Sequence, residues 1–302
     1  MPDVAIMIEG QAGLNWERWR NVAETVEDAG FHGLFRSDHF TNAEGPYEDS
    51  LELWTSLTWL ADNTEKIEFG SLVTPTSFRN PVFTARMAKD VDNLADGRLT
   101  LGVGAGWQER EHETFGFDLL ALGERFDRFE EGVEVIDRLL ESDEPISFDG
   151  EYYELDDALL LPRPDRPGGP DLLIGGNGQN RTLPTAAVHA DEWNGLFVPP
   201  GEYESLNERL DDLLESEGRS PEEVRRSFMT RVLFGRDEEE LDELLDGKDR
   251  EELEAHGVIV GTGPEVAERL DRLEEAGADR VMCQWLALDD LERLEAFGEA
   301  VL

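Results

Sequence analysis

Short apolar runs alternate along the chain with longer segments whose apolar residues recur at helical spacing. Residues 4–8 and 67–73 are mainly apolar and predict buried strands. Between them, residues 51–63 carry apolar side chains every three or four positions, as an amphipathic helix does. Strands that alternate with helices predict a parallel sheet, and about eight strands in one chain favour a closed (β/α)8 TIM barrel over an open doubly wound sheet.

One segment departs from this alternation, at about residues 143–170. Residues 148–153 carry a hairpin signal, and a proline-rich stretch follows them. We expect this segment to be an insertion that lies over the barrel mouth. Residues 1–302 are otherwise expected to form one domain, because barrels of this kind run to about 250 residues or more in a single unit.

Residues 99–112 join a predicted strand to a cluster of polar and aromatic side chains. Glycines interrupt the strand near its end, among them Gly104 and Gly106, and Trp107 follows at once. Glycines of this kind fit a softened turn before an acidic helix, and they also fit the floor of a cofactor pocket, because no Cβ prevents close approach. The spacing is G-x-G-x-G rather than G-x-G-x-x-G, so we do not interpret it as a dinucleotide fingerprint.

In a (β/α)8 barrel the chemistry lies where strands end and loops begin. That rule groups Glu9, Asp38, His39, Thr74, the loop from Gly102 to Glu111, the loop from Gly175 to Gly178, and Gln284 with Trp285. His39 is a candidate acid–base residue because imidazole titrates near working pH, although a lone histidine is more often structural. Glu9 and Glu111 are candidates to lie beside it.

A second glycine-rich loop consists of Gly175, Gly176, Asn177 and Gly178, and the helix predicted after it begins near Arg181. Free N–H groups at a helix start attract anions, and glycine lets a phosphate approach the backbone. An arginine nearby would add a charge-assisted partner. A tight strand-to-helix turn would use glycine as well.

Composition limits the partners. The formal net charge is -43, from 70 acidic and 27 basic residues, so binding to nucleic acid or to an anionic membrane is not expected. The acid excess indicates a solvated surface of the kind found in high-salt cytoplasm, and we expect low salt to destabilise the fold. Cys283 is the single cysteine, so a reducing compartment is expected. No signal peptide or membrane span is evident, which predicts a cytoplasmic location.

Metal and covalent chemistry are weaker hypotheses. Asp38, His39, Glu111 and His112 are ligand types, but no HExxH motif or paired-histidine spacing occurs, so no metal site is expected. No G-x-S-x-G nucleophile motif is present, and Cys283 lies in an apolar strand.

The motifs resemble the luciferase-like monooxygenase superfamily, and most of all its branch of probable oxidoreductases that use coenzyme F420, a phosphate-bearing deazaflavin. The matching stretches run nearly end to end: IMIEG at Ile6, LFRSDHFTN at Leu34, DSLELWTSLTWLAD at Asp49, EFGSLVTPTSFRNP at Glu68, LGVGAGWQEREHETFG at Leu101, FDGEYYEL at Phe148, LLIGGNGQNRTLP at Leu172 and ADEWNG at Ala190. The last hundred residues match only generally.

The resemblance implies a (β/α)8 barrel, an F420 cofactor with FMN as the alternative, and hydride transfer to or from a small organic substrate. It implies that His39 is the acid–base residue, that a non-prolyl cis peptide at Ser71–Leu72 supports the cofactor ring, and that relatives commonly form homodimers. The residues it places at the cofactor are Asp38, Ser71, Leu72, Thr74, Gly104, Gly106, Trp107, Gly175, Gly176, Asn177, Gly178 and Arg181.

Two departures separate this chain from the sugar-phosphate dehydrogenases of the superfamily. Ala43 replaces a tryptophan, and Trp107 replaces a glutamate that follows the glycine strand in those enzymes. Basic residues that would hold a sugar phosphate are not evident in the final third. A sugar-phosphate substrate is therefore not expected, and Glu111 is a second candidate for the acid role.

Overall fold

A computed structural model describes residues 1–302, which form twelve strands and eleven α-helices. The strands are β1 (Asp3–Ile8), β2 (Gly33–Arg36), β3 (Glu68–Ser71), β4 (Thr74–Pro75), β5 (Leu99–Gly104), β6 (Ile146–Asp149), β7 (Glu154–Ala158), β8 (Asp171–Gly175), β9 (Glu192–Leu196), β10 (Arg225–Phe234), β11 (Ile259–Gly261) and β12 (Arg280–Gln284). The helices are α1 (Trp16–Ala29), α2 (Leu53–Asn63), α3 (Pro81–Leu94), α4 (Glu109–Phe115), α5 (Leu122–Glu141), α6 (Thr182–His189), α7 (Pro200–Glu217), α8 (Glu238–Leu245), α9 (Arg250–Ala255), α10 (Gly263–Glu275) and α11 (Leu291–Val301).

Eight parallel strands close into a barrel, which confirms the predicted (β/α)8 fold. β1 pairs with β2 and with β12, and the ladder continues through β3, β5, β8, β9 and β10 back to β12. Two short strands extend the rim: β4 pairs with the end of β5, and β11 pairs with the end of β10. The carboxyl ends of all eight barrel strands therefore meet at one face, the barrel mouth.

Local sequence signals fix several helix ends. The side chain of Asn15 accepts hydrogen bonds from two amides in the first turn of α1, and Gly30 ends that helix in the left-handed conformation with φ 87°. Asn80 caps α3 in the same way, and Pro81 occupies its first turn, where no amide hydrogen is needed.

Two apolar layers hold the barrel. The larger one lies between the strands and the surrounding helices, where Trp19 and Trp193 are fully buried. The smaller one fills the barrel interior with side chains from alternate strand positions: Ala5, Met7, Phe35, Leu72, Leu173, Met229 and Met282. Because alternate residues of a strand face opposite sides, this inner cluster identifies which residues point into the barrel.

The predicted insertion is present, and β6 and β7 form the predicted hairpin. Phe148 and Tyr153 pack against the outer core beside α5, with Tyr153 near Thr76 at the mouth end of the barrel. The residues after the hairpin are held at the opposite, amino-terminal end. There, Arg166 donates to Asp92 and to the carbonyl oxygen of Leu99 at the start of β5. The apolar hairpin face is thus buried against a helix.

No helix combines the length and the apolar character that spanning a bilayer requires.

Candidate active site

His39 and Glu111 form the central pair at the barrel mouth. His39 follows β2, and Glu111 lies in the first turn of α4, just beyond β5. The Nδ1 atom of His39 is 2.9 Å from Oε1 of Glu111, and the side chains are 15% and 1% exposed. The other carboxylate oxygen of Glu111 accepts a hydrogen bond from the amide of Phe40 at 2.9 Å. The carboxylate therefore fixes the orientation of the imidazole and leaves its Nε2 atom without a partner in the protein.

The surroundings raise the pKa of His39 above its ordinary value of 6.5. Burial of the ring opposes this by lowering the pKa, but the hydrogen bond and charge of Glu111 outweigh it, with further help from the charges of Glu9 and Asp38. A histidine with one ring nitrogen held by a carboxylate can give or take a proton at its other ring nitrogen. Trp107 stands edge-on to this ring, with 5.7 Å between ring centroids, and is 62% exposed.

Glu9 reaches the mouth from β1, but its carboxylate is already engaged. Its two oxygens accept hydrogen bonds from Gln284 at 2.7 Å and from Gln11 at 2.8 Å. Gln11 in turn accepts from the hydroxyl of Ser37. Glu9 therefore contributes negative charge near His39 and is held in place by two amide donors.

Asp38 was expected to contact the cofactor, whereas its carboxylate binds within the protein. It accepts hydrogen bonds from Thr74 at 2.7 Å and from two guanidinium nitrogens of Arg79 at 2.8 and 2.9 Å. Asp38 is 5% exposed and Thr74 is 1% exposed. These contacts tie the end of β2 to β4 and to the start of α3, so Asp38 and Thr74 position the segment between them.

The non-prolyl cis peptide lies one residue beyond the predicted position. It joins Leu72 to Val73 rather than Ser71 to Leu72. Ser71 still belongs to β3: its hydroxyl donates to the carbonyl oxygen of Gly102 at 2.8 Å and is fully buried. The amide of Leu72 also remains in the ladder, donating to the carbonyl oxygen of Arg36 at 2.8 Å. The regular pairing therefore continues to the amide of Leu72, and the cis peptide follows directly after it.

The glycines at the ends of β5 and β8 make room for Val73. A Cβ on Gly104 would stand 2.6 Å from a methyl carbon of Val73, and one on Gly175 would stand 3.1 Å from the other. Gly106 has φ +81°, and a Cβ there would stand 2.1 Å from the hydroxyl of Ser77. Gly104 and Gly175 therefore leave space for the side chain of Val73. The sequence alone did not indicate this packing role for the two glycines.

The loop from β8 to α6 presents a row of free backbone donors. The amides of residues 177–182 make no hydrogen bond within the protein. Gly176 has φ +130°, and a Cβ on Gly178 would stand 2.7 Å from the hydroxyl of Thr182. The side chain of Asn177 donates to the carbonyl oxygen of Leu196 and accepts from its amide, so it holds the loop in place rather than facing a ligand. Consecutive free amides at a helix start form an anion site.

The guanidinium of Arg181 does not bind the loop between β8 and α6. It donates to Glu130 at 2.5 and 2.7 Å and to Asp127 at 2.6 Å, both on α5. Hydrogen bonds to these two carboxylates raise its pKa. Two neighbouring acids already satisfy the guanidinium, so Arg181 is not free in this structure, and its contact with a cofactor phosphate stays a prediction.

One mouth residue was missed by the sequence reasoning. Arg231 occupies an inward position of β10, two residues after Met229 of the inner cluster, and pairs in register with Gln284 of β12. The sequence does contain a signal for it. In an extended segment from Ser227 to Phe234, the alternation of side chains places Arg231 on the same face as Met229.

A surface cavity of about 700 Å³ lies at the other end of the barrel. Its lining includes Glu192, Arg225 and Asp279 from the amino-terminal ends of three strands. Cavity size alone would therefore point away from the residues described above.

Comparisons with known proteins identify the family. Residues 4–280 match the family described as Luciferase-like monooxygenase. The chain is 32% identical to the F420-dependent glucose-6-phosphate dehydrogenase of Kineococcus radiotolerans over 227 residues, which cover 72% of this chain and 64% of that protein, just under two thirds of its length. It is 24% identical to the FMNH(2)-dependent dimethylsulfone monooxygenase of Pseudomonas fluorescens, over 94% of this chain and 85% of that protein.

A solved structure extends the likeness to the whole fold. The F420-dependent secondary alcohol dehydrogenase in complex with an F420-acetone adduct superposes with a TM-score of 0.86 at 20% sequence identity, covering 99% of this chain and 98% of that one. This fold likeness agrees with the barrel. The chain belongs to the luciferase-like monooxygenase family.

Proposed function

We propose that this protein is an F420-dependent oxidoreductase that transfers a hydride between the deazaflavin and a small organic substrate. The observation that carries the proposal is the His39–Glu111 pair, which leaves an imidazole nitrogen free at the mouth of a barrel of this family. An acid–base group at that place serves a reaction in which a substrate oxygen gains or loses a proton while carbon exchanges a hydride.

The residues at the mouth fit a phosphorylated cofactor. Six consecutive free amides, from residue 177 to residue 182, offer donors and a favourable dipole to a phosphate without any charged side chain. A side chain at Gly178 would enter this loop beside Thr182. Residues 72–74, at the centre of the mouth, would lie under the deazaflavin ring of the cofactor. Ser71, Asp38, Asn177 and Arg181 would support the site through the contacts described above without touching the cofactor.

Each side chain of the pair has a separate task. When bound, F420 supplies the hydride acceptor or donor. The neutral His39, with Nδ1–H donated to Glu111, offers the Nε2 lone pair to a substrate hydroxyl and removes its proton. In the reverse direction the protonated ring gives that proton to a carbonyl oxygen. Glu111 stabilises the protonated ring, since it is buried and hydrogen-bonded on both oxygens.

An FMN-dependent monooxygenase is the second candidate. The observation that favours it is the match to the FMNH(2)-dependent relative, which extends over 94% of the chain. The two cofactors imply different chemistry, because deazaflavin does not form the oxygen adduct that flavin forms.

Cofactor titration separates the two. The protein is purified in molar potassium chloride, since its acid excess is expected to destabilise it at low salt, and is titrated with F420 and with FMN by fluorescence. We expect micromolar or tighter binding of F420 and at least a hundredfold weaker binding of FMN. The reverse preference would replace the proposal by the monooxygenase, and binding of neither cofactor would exclude both.

A pair of variants tests the phosphate seat. Gly178→Val should weaken F420 binding at least tenfold, because the new side chain enters the amide loop next to Thr182. Gly201→Val is the control, since nothing lies within 4 Å of a Cβ at that position. Equal affinities of the two variants would show that the phosphate binds elsewhere.

A further inference from the structure

Arg231 is the one arginine that is not exposed and has no partner. Every other buried or partly buried arginine makes an ion pair or a hydrogen bond to a protein oxygen, while Arg20, Arg86 and Arg209, which make neither, are all exposed. The chain carries 70 acidic residues, so carboxylates to satisfy a cation are abundant. The protein supplies no acceptor to this partly buried guanidinium, so water satisfies it until a ligand supplies an acceptor.

The strand register places this guanidinium at the mouth. Met229 belongs to the inner cluster, so Arg231 on the same strand face follows it toward the carboxyl end. Its register partner is Gln284, which donates to Glu9, and Glu9 is close enough to His39 to raise the pKa of that residue. The unpaired cation and the free imidazole nitrogen are therefore on the same rim.

A small apolar cavity adjoins Arg231. Its volume is about 220 Å³, and most of its lining is hydrophobic, including Trp285, Leu286 and Leu244 of α8. The second arginine that lines it, Arg293, is already paired with Asp290. The cavity thus offers an apolar enclosure with one unsatisfied positive charge, a combination that fits an organic anion with a short carbon chain.

We propose that Arg231 anchors the anionic group of the substrate, a carboxylate or a phosphate ester, and that the adjoining cavity takes its carbon chain. This proposal rests on the proposed function, because it assigns the substrate class for the same mouth. The cofactor phosphate has its own donors in the β8–α6 loop, and β9 separates that loop from Arg231 on β10. The two anion sites are therefore distinct, one for the cofactor and one for the substrate.

The test uses probes that differ only in charge. Butyrate, propyl phosphate and the neutral butyramide are titrated by calorimetry into the F420-loaded protein at one fixed potassium chloride concentration. We expect at least one of the two anions to bind tenfold or more tightly than butyramide. A preference for propyl phosphate assigns a phosphate ester, and a preference for butyrate assigns a carboxylate.

Arg231→Gln should remove that tenfold advantage, and Arg231→Lys should retain part of it, because lysine keeps the charge but loses the two-pronged geometry. Arg209→Gln is the matched control: it removes an equally unpaired arginine from the exposed face of α7 and should leave anion binding unchanged. Equal binding of anions and butyramide, or equal loss in Arg231→Gln and Arg209→Gln, would overturn the proposal.

F420 affinity is measured separately on every variant. This measurement distinguishes a failure of this proposal from a failure of the proposed function. The affinity should stay within about threefold of the original in Arg231→Gln; a tenfold loss would assign Arg231 to the cofactor and end the substrate proposal. If the protein binds no F420 but still binds butyrate through Arg231, the anion anchor stands and the deazaflavin function does not.

Discussion

Both ends of the barrel interior are rich in charge, but they differ in how the charged groups are paired. At the amino-terminal end, the fully buried Arg280 donates to Glu68 and, at 3.2 Å, to Glu192, and Arg225 is 3.2 Å from Glu68. At the carboxyl end, His39 keeps a free nitrogen, Arg231 has no partner and the amides of the β8–α6 loop are unpaired. At the amino-terminal end each of these guanidinium groups has a carboxylate partner, with only Nε of Arg280 and Oε1 of Glu192 left unpaired, whereas the carboxyl end leaves whole groups without a protein partner.

This difference identifies the functional end better than polarity or cavity size does. A cavity of about 700 Å³ lies at the amino-terminal end, where Arg225 and Arg226 along its lining are already paired with carboxylates. Buried polar groups are normally satisfied within a protein, and single unpaired atoms occur at both ends, so the functional end is distinguished by charged groups that have no protein partner at all. The same criterion removes Glu9, Asp38 and Arg181 from the set of direct contacts, since their charged groups are already engaged.

Removing Arg280 should have the largest effect, and it should act on stability alone. Arg280→Met leaves Glu192 buried without its main counter-charge, a loss of about 3–5 kcal/mol for a broken buried pair. Burial already raises the pKa of Glu192. A carboxyl group whose pKa is raised on folding destabilises the protein as pH rises past its unfolded value, so the deficit should grow from pH 5 to pH 8. Chemical unfolding in molar salt measures it.

Arg272→Met provides the control for that measurement. Arg272 pairs with Glu268 on the exposed face of α10, where such pairs contribute about 0.3–0.5 kcal/mol. F420 affinity should be unchanged in both folded variants. A stability loss no larger than the control's would mean that the charges at the amino-terminal end are hydrated and are not held by one another.

Removing His39 should have the next largest effect, and it should act on turnover. His39→Ala should lower the rate of F420 reduction about a hundredfold or more, with any alcohol that a screening panel shows to be a substrate, because no group then takes the proton. Cofactor affinity should stay within about tenfold. His32→Ala is matched in residue type and in partner, since the Nε2 of His32 is 3.1 Å from Asp3 at the amino-terminal end. If His39→Ala loses cofactor binding instead, His39 is a cofactor contact.

The barrel could be predicted because its strands and helices are local patterns. The strand predicted from Leu99 is β5, and the helix predicted at 125–140 is contained in α5. α9 and β11 were missed because residues 246–258 are acidic and carry little periodicity. The detailed path of the insertion could not be predicted, because contacts between residues far apart in the chain decide it, such as that between Arg166 and Asp92.

The candidate site was predictable only at the level of strand ends. That rule brought His39 and Glu111 to one face, but it could not choose partners among 70 acidic residues. Arg181 could equally have faced the glycine loop or α5, and only the packed arrangement places Asp127 and Glu130 beside it. Arg231 was overlooked because a single arginine in an apolar strand has no sequence context that distinguishes it from a surface residue.

Replacing Glu111 should have a smaller effect, a loss of about tenfold in turnover. It tests what the charge of Glu111 does at the mouth. Glu111→Gln keeps the shape but removes the charge that raises the pKa of His39, while burial of the ring continues to lower it. The pKa should therefore fall, and the neutral, proton-accepting form should dominate from a lower pH. NMR titration of ¹³C-labelled histidine measures this without a substrate, with His39→Gln to assign the signal. An unchanged pKa would mean that Glu111 only orients the ring.

Replacing Arg181 should have the smallest effect and bears most directly on the comparison. If satisfied groups do not bind ligands, Arg181→Ala should change F420 affinity by less than about threefold, although Arg181 stands at the start of the helix that would receive the phosphate. Its loss leaves Asp127 and Glu130 without their partner, so the small change should be a weakening caused by their charge. Adding Glu130→Gln should then restore part of the affinity. A loss of tenfold or more, about 1.4 kcal/mol, would mean that the guanidinium leaves its carboxylates for the phosphate.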